Sequence, residues 1–520
     1  MHPSQYIYVP KNLALVSHFA MDITAEKKDE EKEYGIDVQS FLEPGQDRPL
    51  GFFDPARWAR YSFLEWTSIE PVPYEKQTQR NWYSVPLLWF SANANVLTFA
   101  TGMLAGSFDV SLPASMYTIL GFSLVTSIVP AYFTTFGTRL GLRQLLHSRY
   151  SFGYFGACIL GILSAATQLV YCIENSILGG QALKAVSPNE SMSSIVGIVI
   201  LAIVSFVVCF FGIRVMHFVE SILWFPTLIC FILLTAFAGS GSNGLHIPGN
   251  SPKTTSNGVL GLGCIVAGYM LSWSTIASDV SLYVNRSVSV KKLFFSVYAA
   301  FILSVTPIFM LGAAFGIAGP DFPAWKEASQ ESSPGALFNV VLSGHAGNFG
   351  KFLTVVLALS AVANIIPSVY SFGIACQTSF PILRRLPRFF MSLVALAIFL
   401  PLSIVGRNKF YDTLTNFASI LAYWCGFFAG VVLADHCVIR RFDFKTYDIT
   451  IWDDWRLLPP GIAGITSAIL PIALLVPCMD QSWYTGPIAR HSGDLAFEVG
   501  FILSFLLYLV LRPVEKRIWR

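Results

Sequence analysis

Twelve apolar segments divide the sequence, and each is near the length of about 20 residues that a helix needs to cross a membrane. They cover residues 84–108, 112–136, 152–183, 193–211, 216–239, 259–284, 293–318, 352–378, 388–405, 413–435, 458–478 and 495–511. Only 12% of the residues are charged, about half the share of an ordinary soluble domain. The sequence therefore predicts an all-α polytopic membrane protein with an N-terminal tail over residues 1–83, a twelve-helix domain over residues 84–511 and a short C-terminal tail over residues 512–520.

Basic residues in the short loops predict the orientation of the chain. Loops on one side hold fourteen Lys and Arg residues, against seven on the other side, and the richer side is expected to face the cytoplasm. An even number of spans then places both tails in the cytoplasm, with the chain in the plasma membrane. The Asn-Glu-Ser sequence at Asn189 would lie outside, where glycosylation is possible, whereas the Asn-Arg-Ser sequence at Asn285 would lie inside and stay unmodified.

Composition and motif content exclude several functional classes. A net charge of +3, scattered over 520 residues, is too small for a nucleic-acid footprint. The nine cysteines lie in or beside apolar runs without Cys-x-x-Cys spacing, so neither a disulfide framework nor a metal site is expected. The sequence contains no phosphate loop and no nucleophile elbow. We therefore expect no enzyme, no cofactor and no nucleic-acid partner; a small solute and the lipid bilayer are the expected partners.

The first span carries three polar side chains within five residues: Ser91, Asn93 and Asn95. Polar groups in hydrocarbon must find a partner or line a cavity. We interpret this cluster as a locally unwound stretch whose amides face a substrate site near the midplane of the membrane. Packing of small and amide residues against a neighbouring helix is the alternative.

The third span has polar residues at spacings of three and four, which places them on one helix face: Thr167, Gln168, Tyr171, Glu174 and Asn175. A carboxylate at the centre of a span costs about 2.5–3.5 kcal/mol on insertion scales, so Glu174 is expected to be protonated, paired or hydrated. Glu174 is accordingly the candidate for carrying a coupling proton. A neutral Glu174 that hydrogen-bonds a neighbouring helix is the structural alternative.

The sixth and eighth spans add an aromatic candidate and an amide candidate. Gly268 precedes Trp273 in the sixth span, and a discontinuous helix there would expose the indole as a flat surface for a planar ligand. In the eighth span, Asn364 and Ser368 fall on one face around Pro367, which loosens a helix because it lacks a backbone donor. Ordinary packing of the indole, and hydrogen bonding of the polar stripe to a neighbouring helix, are the alternatives.

Several longer stretches resemble fungal purine-cytosine permeases, a branch of the nucleobase cation symporter family 1. They follow the family's order from about Tyr74 to the C-terminus: WFSANANVLTFATGML, GLRQLLHSRYSFGYFGA, ENSILGGQAL, HFVESILWFP, LALSAVANIIPSVYS and YDITIWDDWRLLPPGIAG. Together these motifs are specific, whereas each alone is weak. The resemblance implies a LeuT-like fold, in which spans 1–5 and 6–10 form inverted repeats and the last two helices are additional.

The same resemblance implies where the substrate binds, namely between broken helices 1 and 6 and helices 3 and 8. The positions that match the family's binding residues are Ser91, Asn93, Asn95, Asn175, Trp273 and Asn364. We add Tyr171 and Ser368 to the predicted substrate-binding set, since they stand where the family has a tryptophan and an asparagine.

Four positions depart from the family's pattern. Tyr171 replaces the helix 3 tryptophan, and Glu174 replaces a usually apolar neighbour. The helix 8 motif Ala-Asn-Asn-Ile-Pro-Asn reads Ala-Asn-Ile-Ile-Pro-Ser, so Ile365 and Ser368 replace two asparagines. We predict proton-coupled uptake of purines, cytosine or a related planar nitrogen heterocycle by alternating access, with altered recognition of the ordinary substrates. A carrier of vitamin B6-like or specialised-metabolite compounds and a non-transporting nutrient sensor are the alternatives.

Overall fold

The computed structural model describes residues 69–187, 191–211, 213–240, 245, 253–328, 334–386, 388–481 and 483–519. Asn189, the predicted external glycosylation site, lies outside the described residues, as does most of the predicted N-terminal tail. The described part is helical almost throughout. It contains one hairpin, in which β1 (Asp480–Gln481) pairs antiparallel with β2 (Tyr484–Thr485).

Apolar helical units coincide in order with the twelve predicted spans. Within the described residues, nine are long and apolar enough to cross a membrane, one is a pair of helices bent by 48°, and two are shorter apolar helices. They are α1a (Ser84–Asn93) with α1b (Val96–Met103), α2 (Leu112–Thr126 and Ile128–Leu140), α3 (Arg149–Val186), α4 (Ser194–Phe210), α5 (Ile213–Ala238), α6 (Ser256–Ser272), α7 (Val290–Ala318), α8 (Pro334–Ser379), α9 (Arg388–Gly406), α10 (Phe410–Leu433), α11 (Ile462–Ile469 and Ile472–Cys478) and α12 (Ala496–Ile518). The predicted all-α polytopic fold class is confirmed.

Short helical turns connect these units. They are Tyr74–Lys76, Leu104–Ser107, Gln144–His147, Trp273–Thr275, Ala277–Val280, Gly319–Asp321, Pro323–Glu327, Pro381–Arg385, Ala434–Ile439, Phe444–Thr446, Ile449–Ile451 and Ala489–Ser492.

The first span is broken between α1a and α1b, where the sequence predicted an unwound stretch. Ala94 follows α1a with φ −80° and ψ 73°, outside the helical range. The amide oxygen of Asn95 then accepts hydrogen bonds from the backbone N–H groups of Leu97, at 2.7 Å, and Thr98, at 3.1 Å. Because these bonds satisfy donors that a helix start leaves open, the break is stable inside the protein.

The sixth span is discontinuous as well. α6 ends immediately before Trp273, whereas the sequence predicted an apolar span up to residue 284. Trp273–Thr275 and Ala277–Val280 form two separate 3-10 turns. Asp279 accepts a hydrogen bond from the backbone N–H of Gln144 at 2.8 Å. The break therefore occurs at the predicted aromatic residue.

Close packing joins the helices that carry the polar residues. α3 and α8 share the most extensive helix–helix contact in the described part of the chain. α1b approaches α7 at two glycines: a Cβ on Gly102 would lie 2.3 Å from the backbone oxygen of Phe309, and one on Gly312 would lie 2.1 Å from that of Phe99. Both distances are far below van der Waals contact, so only glycine permits this small-residue packing between membrane helices.

Besides α6, two further helices have an end that lies seven residues or more from the predicted boundary. α8 begins at Pro334 rather than at residue 352, with a kink at Gly347, where φ is 54° and ψ is −127°. α12 continues to Ile518, past the predicted end at residue 511. Arg512 and Glu515 form an ion pair one turn apart in this extension, so the charged residues remain compatible with a helix.

The described end of the predicted N-terminal tail belongs to the folded domain. The backbone N–H of Val72 donates to the carbonyl oxygen of Gly141 at 2.8 Å. Nε2 of Gln77 donates to the carbonyl oxygens of Gly137, at 3.1 Å, and Leu282, at 3.0 Å. These bonds join the segment before α1a to the end of α2 and to the chain after α6.

Candidate substrate site

The nine residues that the sequence predicted to bind substrate or proton are all enclosed, and none is more than 2% exposed. They are Ser91, Asn93, Asn95, Tyr171, Glu174, Asn175, Trp273, Asn364 and Ser368. The centre of the helix bundle is therefore sealed from solvent, and the conformation is an occluded one.

An amide bridge joins α3, α8 and the break in α1. Nδ2 of Asn175 donates to Oδ1 of Asn364 at 3.0 Å, and Nδ2 of Asn364 donates to the backbone oxygen of Ala92 at 2.9 Å. Beside it, Oγ of Ser360 accepts a hydrogen bond from the backbone N–H of Val96 at 3.2 Å. Since Ala92 lies in α1a and Val96 begins α1b, α8 holds both halves of the broken helix.

Tyr171 of α3 and Trp273, directly after α6, lie face to face. Their ring centroids are 5.5 Å apart and their planes are inclined by only 7°. Trp89 of α1a packs edge-on against Trp273 at a centroid distance of 5.4 Å. The hydroxyl of Tyr171 lies 2.6 Å from Oγ of Ser272, which fixes the orientation of the ring. Trp273, whose indole was predicted to be a flat surface for a planar ligand, thus forms an aromatic pair with Tyr171.

The three polar residues of the first span face in different directions. Asn95 caps α1b. Nδ2 of Asn93 donates to the backbone oxygen of Trp89 at 2.8 Å, while its Oδ1 has no partner among the described residues. Ser91 lies two residues after Trp89, on the opposite side of the helix, where its hydroxyl adjoins the carboxyl group of Glu220 on α5. The structure therefore does not bring Ser91 to the aromatic pair.

Several buried polar atoms around this centre have no hydrogen-bond partner in the described part of the chain. They are both amide atoms of Gln168, Oδ1 of Asn175, Oγ of Ser368, and Nε1 of Trp89 and of Trp273. Buried polar groups in native proteins are otherwise almost always paired. A centre with open donors and open acceptors is suited to a polar ligand or to water. Within the same residues, no group of three or more His, Cys, Asp or Glu side chains is placed to hold a metal ion.

Gln168 lies in the candidate site, although the sequence pattern placed it only on the same helix face. Along that face of α3, Ser164 lies 3.4 Å from Thr275, Tyr171 forms the aromatic pair and Asn175 bonds α8. Gln168 is fully buried between these contacts. Its spacing of three and seven residues from Tyr171 and Asn175 is the signal that identifies it.

Glu174 is 1% exposed and lies close to the phenol groups of Tyr171 and Tyr269. Neither of its carboxyl oxygens has a hydrogen-bond partner within the described ranges. An ionised carboxylate without a partner is strongly disfavoured in such surroundings. The occluded conformation therefore suits the neutral acid, and the site contains a group that can carry a proton.

An ion-pair network joins the ends of α3 and α8. Asp453, in the loop between α10 and α11, accepts hydrogen bonds from Arg149 at 2.9 Å and from Arg384 at 2.6 Å. Burial favours the neutral acid, but the two guanidinium groups outweigh burial and hold the pKa of Asp453 below its ordinary value. One loop thus ties together the ends of the two helices that form the amide bridge.

The sequence matches known permeases over most of its length. Residues 71–500 match the family described as permeases for cytosine/purines, uracil, thiamine and allantoin. Purine-cytosine permease fcyB of Emericella nidulans is 33% identical over 458 residues, covering 87% of this chain and 89% of fcyB. Purine-cytosine permease FCY21 of Saccharomyces cerevisiae is 29% identical and covers 99% of this chain and 98% of its own. The vitamin B6 transporter TPN1 of the same yeast is 26% identical, and the match covers 87% of this chain and 88% of TPN1.

Solved structures show the same fold. Mhp1, a nucleobase-cation-symport-1 family transporter in a closed conformation with bromovinylhydantoin bound, has a TM-score of 0.66 at 19% identity and covers 88% of this chain and 96% of its own. A Na⁺-coupled sialic acid symporter has a TM-score of 0.57 at 12% identity, and the match covers 88% of this chain and 94% of the symporter. These likenesses confirm the LeuT-like arrangement. The relatives are named permeases and transporters rather than enzymes. The chain is thus a multi-pass membrane transporter, and it belongs to the family of permeases for cytosine/purines, uracil, thiamine and allantoin.

Proposed function

We propose that this permease is a proton-coupled importer of purine nucleobases and cytosine, or of a related planar nitrogen heterocycle. It acts in the plasma membrane by alternating access, with both termini in the cytoplasm, as the excess of basic residues on one side supports. The observation that carries the proposal is the parallel Tyr171–Trp273 pair beside the Asn175–Asn364 amide bridge, at the breaks in α1 and α6. Flat apolar faces and amide groups together suit a planar ring with polar edges.

A ring that binds between the two aromatic side chains requires the site to widen. Atoms in contact are about 3.5 Å apart, so a ring between two others needs about 7 Å between the outer planes. The centroids of Tyr171 and Trp273 are 5.5 Å apart. Binding between them therefore needs α3 and the break in α6 to separate by roughly 1.5 Å or more, given those contact distances. In transporters of this architecture, rocking or gating of one repeat against the other exposes the midplane site.

The open polar atoms match the edge of a nucleobase. Purines and cytosine carry ring nitrogens and an exocyclic amine or oxo group along one edge, and an amide can donate and accept toward such an edge at once. Gln168 offers an open donor and an open acceptor, Asn175 an open acceptor and Ser368 a hydroxyl that does either. The names of two relatives, both purine-cytosine permeases, support the same substrate class.

Glu174 supplies the coupling proton site in this proposal. It lies one turn after Tyr171 on the same face of α3, so its charge state changes the electrostatic surroundings of the aromatic pair. Glutamine keeps the shape and the neutral state but cannot release a proton. Glu174→Gln is therefore expected to fold and to bind substrate, yet to lose accumulation or its pH dependence. Normal pH-dependent uptake by this variant would remove Glu174 from the proposal.

A carrier of vitamin B6-like compounds is the second candidate. Ile365 is fully buried and its side chain offers no hydrogen bond, and Ser368 provides one short hydroxyl in place of an amide. The vitamin B6 transporter TPN1 is also a relative. A substituted pyridine presents fewer edge groups than a purine and would need fewer amide partners.

An uptake screen tests both candidates in cells that lack their own carriers. Radiolabelled adenine, cytosine, hypoxanthine and pyridoxine are supplied with and without a protonophore. We expect one class of planar heterocycle to accumulate above its external concentration and to stop accumulating when the protonophore is added. If the labelled compound only reached its external concentration inside the cells, proton-coupled transport would be ruled out. Retention of signalling without uptake of any compound would support a nutrient sensor instead.

A further inference from the structure

A second enclosed carboxyl group lies outside the aromatic pair and the amide bridge. Glu220 of α5 is fully buried, and neither of its carboxyl oxygens has a hydrogen-bond partner within the described residues. The hydroxyl of Ser91 is also buried and lies within hydrogen-bonding reach of this carboxyl group. Two polar side chains thus face one another across the interface between α1a and α5, in a place that the candidate substrate site does not include.

Glu220 and Ser91 lie at the same depth in neighbouring helices. Each is seven residues from the start of its helix, which corresponds to about 10 Å of helix length. Phe90 of α1a packs edge-on against Trp224 of α5 at a centroid distance of 5.7 Å, so the two helices are in contact at this level. The pair therefore lies ahead of the break in α1, on the side of the site from which α1a begins.

The surroundings of Glu220 connect it to the substrate site. Cys209 of α4 adjoins Glu220, and its thiol donates to the backbone oxygen of Ile366 at 3.5 Å. Ile366 is two residues from Asn364 on α8. Among the described residues, Cys209 is a titratable group close to Glu220, and His217 lies one turn earlier on α5; neither bonds the carboxyl oxygens of Glu220. A chain of contacts thus leads from Glu220 through α4 to α8, the helix that carries the amide bridge.

We infer that Glu220 is a proton-binding site whose neutral form closes the contact between α1a and α5 and whose ionisation opens it. A carboxylate that faces a serine hydroxyl and has no ion-pair partner among the described residues is far less stable in such surroundings than the carboxylic acid. On ionisation, the proton passes from the carboxyl group to solvent water, and the carboxylate that remains needs water as its partner. Only separation of α1a from α5 admits that water. Pro226 facilitates this movement, because it removes a backbone hydrogen bond from α5 and lets the half that carries Glu220 bend.

This inference rests on the proposed proton-coupled function and assigns Glu220 a role different from that of Glu174. Glu174 adjoins Tyr171 inside the candidate site, whereas Glu220 adjoins Ser91 ahead of it. A proton on Glu174 is linked to the substrate. A proton on Glu220 is linked to the helix contact that must open for release. Loss of ionisation at Glu220 should therefore leave substrate binding intact and stop translocation.

The test compares Glu220→Gln with Glu220→Asp in the purified full-length protein, reconstituted in proteoliposomes. Tritiated cytosine and adenine serve as probes for equilibrium binding, for exchange across the vesicle membrane and for accumulation driven by a pH gradient. Glutamine mimics the neutral acid permanently, so Glu220→Gln should bind both probes as the wild type does but lose exchange and accumulation. Aspartate keeps an ionisable group, so Glu220→Asp should recover both activities with a shifted pH profile.

Glu498→Gln on α12 is the matched control. Both carboxyl oxygens of Glu498 also lack partners in the described part of the chain, but this residue is on the last helix, away from α1a and α5. The control should bind, exchange and accumulate like the wild type.

Two results would overturn the inference. Wild-type accumulation by Glu220→Gln would show that no proton on this residue takes part in transport. Loss of binding or transport in both the Gln and the Asp variant would show that side-chain shape, rather than a proton, is required. The proposed function fails separately, and earlier, if wild-type vesicles accumulate neither probe under a pH gradient.

Discussion

Asn364→Ala removes the centre of the amide bridge between α3, α8 and α1a. The change breaks two hydrogen bonds, from Asn175 at 3.0 Å and to the backbone oxygen of Ala92 at 2.9 Å. Each former partner retains another bond, since Nδ2 of Asn175 also donates to Tyr171 and the oxygen of Ala92 also accepts from Asn95. The substitution therefore leaves neither partner without a hydrogen bond.

The free-energy cost of Asn364→Ala is moderate, because both former partners keep one hydrogen bond. A hydrogen bond between membrane helices contributes about 0.6 kcal/mol on average and at most about 1.7 kcal/mol. Two such bonds then amount to about 1–2 kcal/mol, because the larger penalty for an orphaned buried group does not apply. If the bridge forms in the occluded substrate-bound state, the Kd for substrate should rise about 5–30-fold.

Equilibrium binding of a radiolabelled substrate to the purified protein measures this change. Asn339→Ala is the matched control, because Asn339 lies on the same helix and donates one hydrogen bond, to the backbone oxygen of Ala185 at 2.7 Å, remote from the site. The control should keep the wild-type Kd. Equal affinity in the wild type, Asn364→Ala and Asn339→Ala would refute the assignment of the amide bridge to the substrate site.

Three further predictions concern orientation, substrate and stability. A cysteine introduced beside Asn189 should react with an impermeant thiol reagent in intact cells, whereas one beside Arg286 should not; the opposite labelling would reverse the proposed orientation. Ile365→Asn combined with Ser368→Asn should make adenine, cytosine and hypoxanthine better competitors for uptake, and unchanged competition would show that these positions do not read the substrate. Asp453→Asn should lower the melting temperature at neutral pH, because it breaks both ion pairs of the network. Since the pKa of Asp453 is held low, its stabilisation is present above about pH 4 and is lost as the pH falls further, so wild-type and variant melting temperatures should converge at low pH.

The positions of the spans and of the helix breaks could be predicted from the sequence. Long apolar runs with charged junctions have few alternatives in a membrane, which explains why all the predicted segments coincide with helical units. Ser91, Asn93 and Asn95 indicated the break in α1 because so many polar groups cannot stay in a regular lipid-facing helix. The capping bonds of Asn95 give that break its physical cause.

The directions of the side chains could not be predicted from the sequence. Ser91 faces α5 rather than the aromatic pair, because the crossing of α1a and α5 decides which face is turned inward. Glu220 lies only four residues inside the apolar segment predicted over 216–239, whereas α5 begins at Ile213 and buries the carboxyl group. Contacts between helices far apart in the chain determine both outcomes.

The packing of the segment before α1a was not predicted either. Residues 69–83 are polar and were expected to form part of the N-terminal tail, yet Gln77 donates to two backbone carbonyl oxygens, one near the end of α2 and one in the chain after α6. A single amide that satisfies two buried acceptors leaves no periodic pattern in the sequence.

Accumulation by the purified protein in proteoliposomes with an imposed inward proton gradient tests the proposed function most directly. We expect tritiated cytosine or adenine to accumulate above its external concentration only while the gradient is present, and a protonophore to abolish the accumulation. Equilibration without accumulation, or accumulation driven by a sodium gradient at equal pH on both sides, would contradict it.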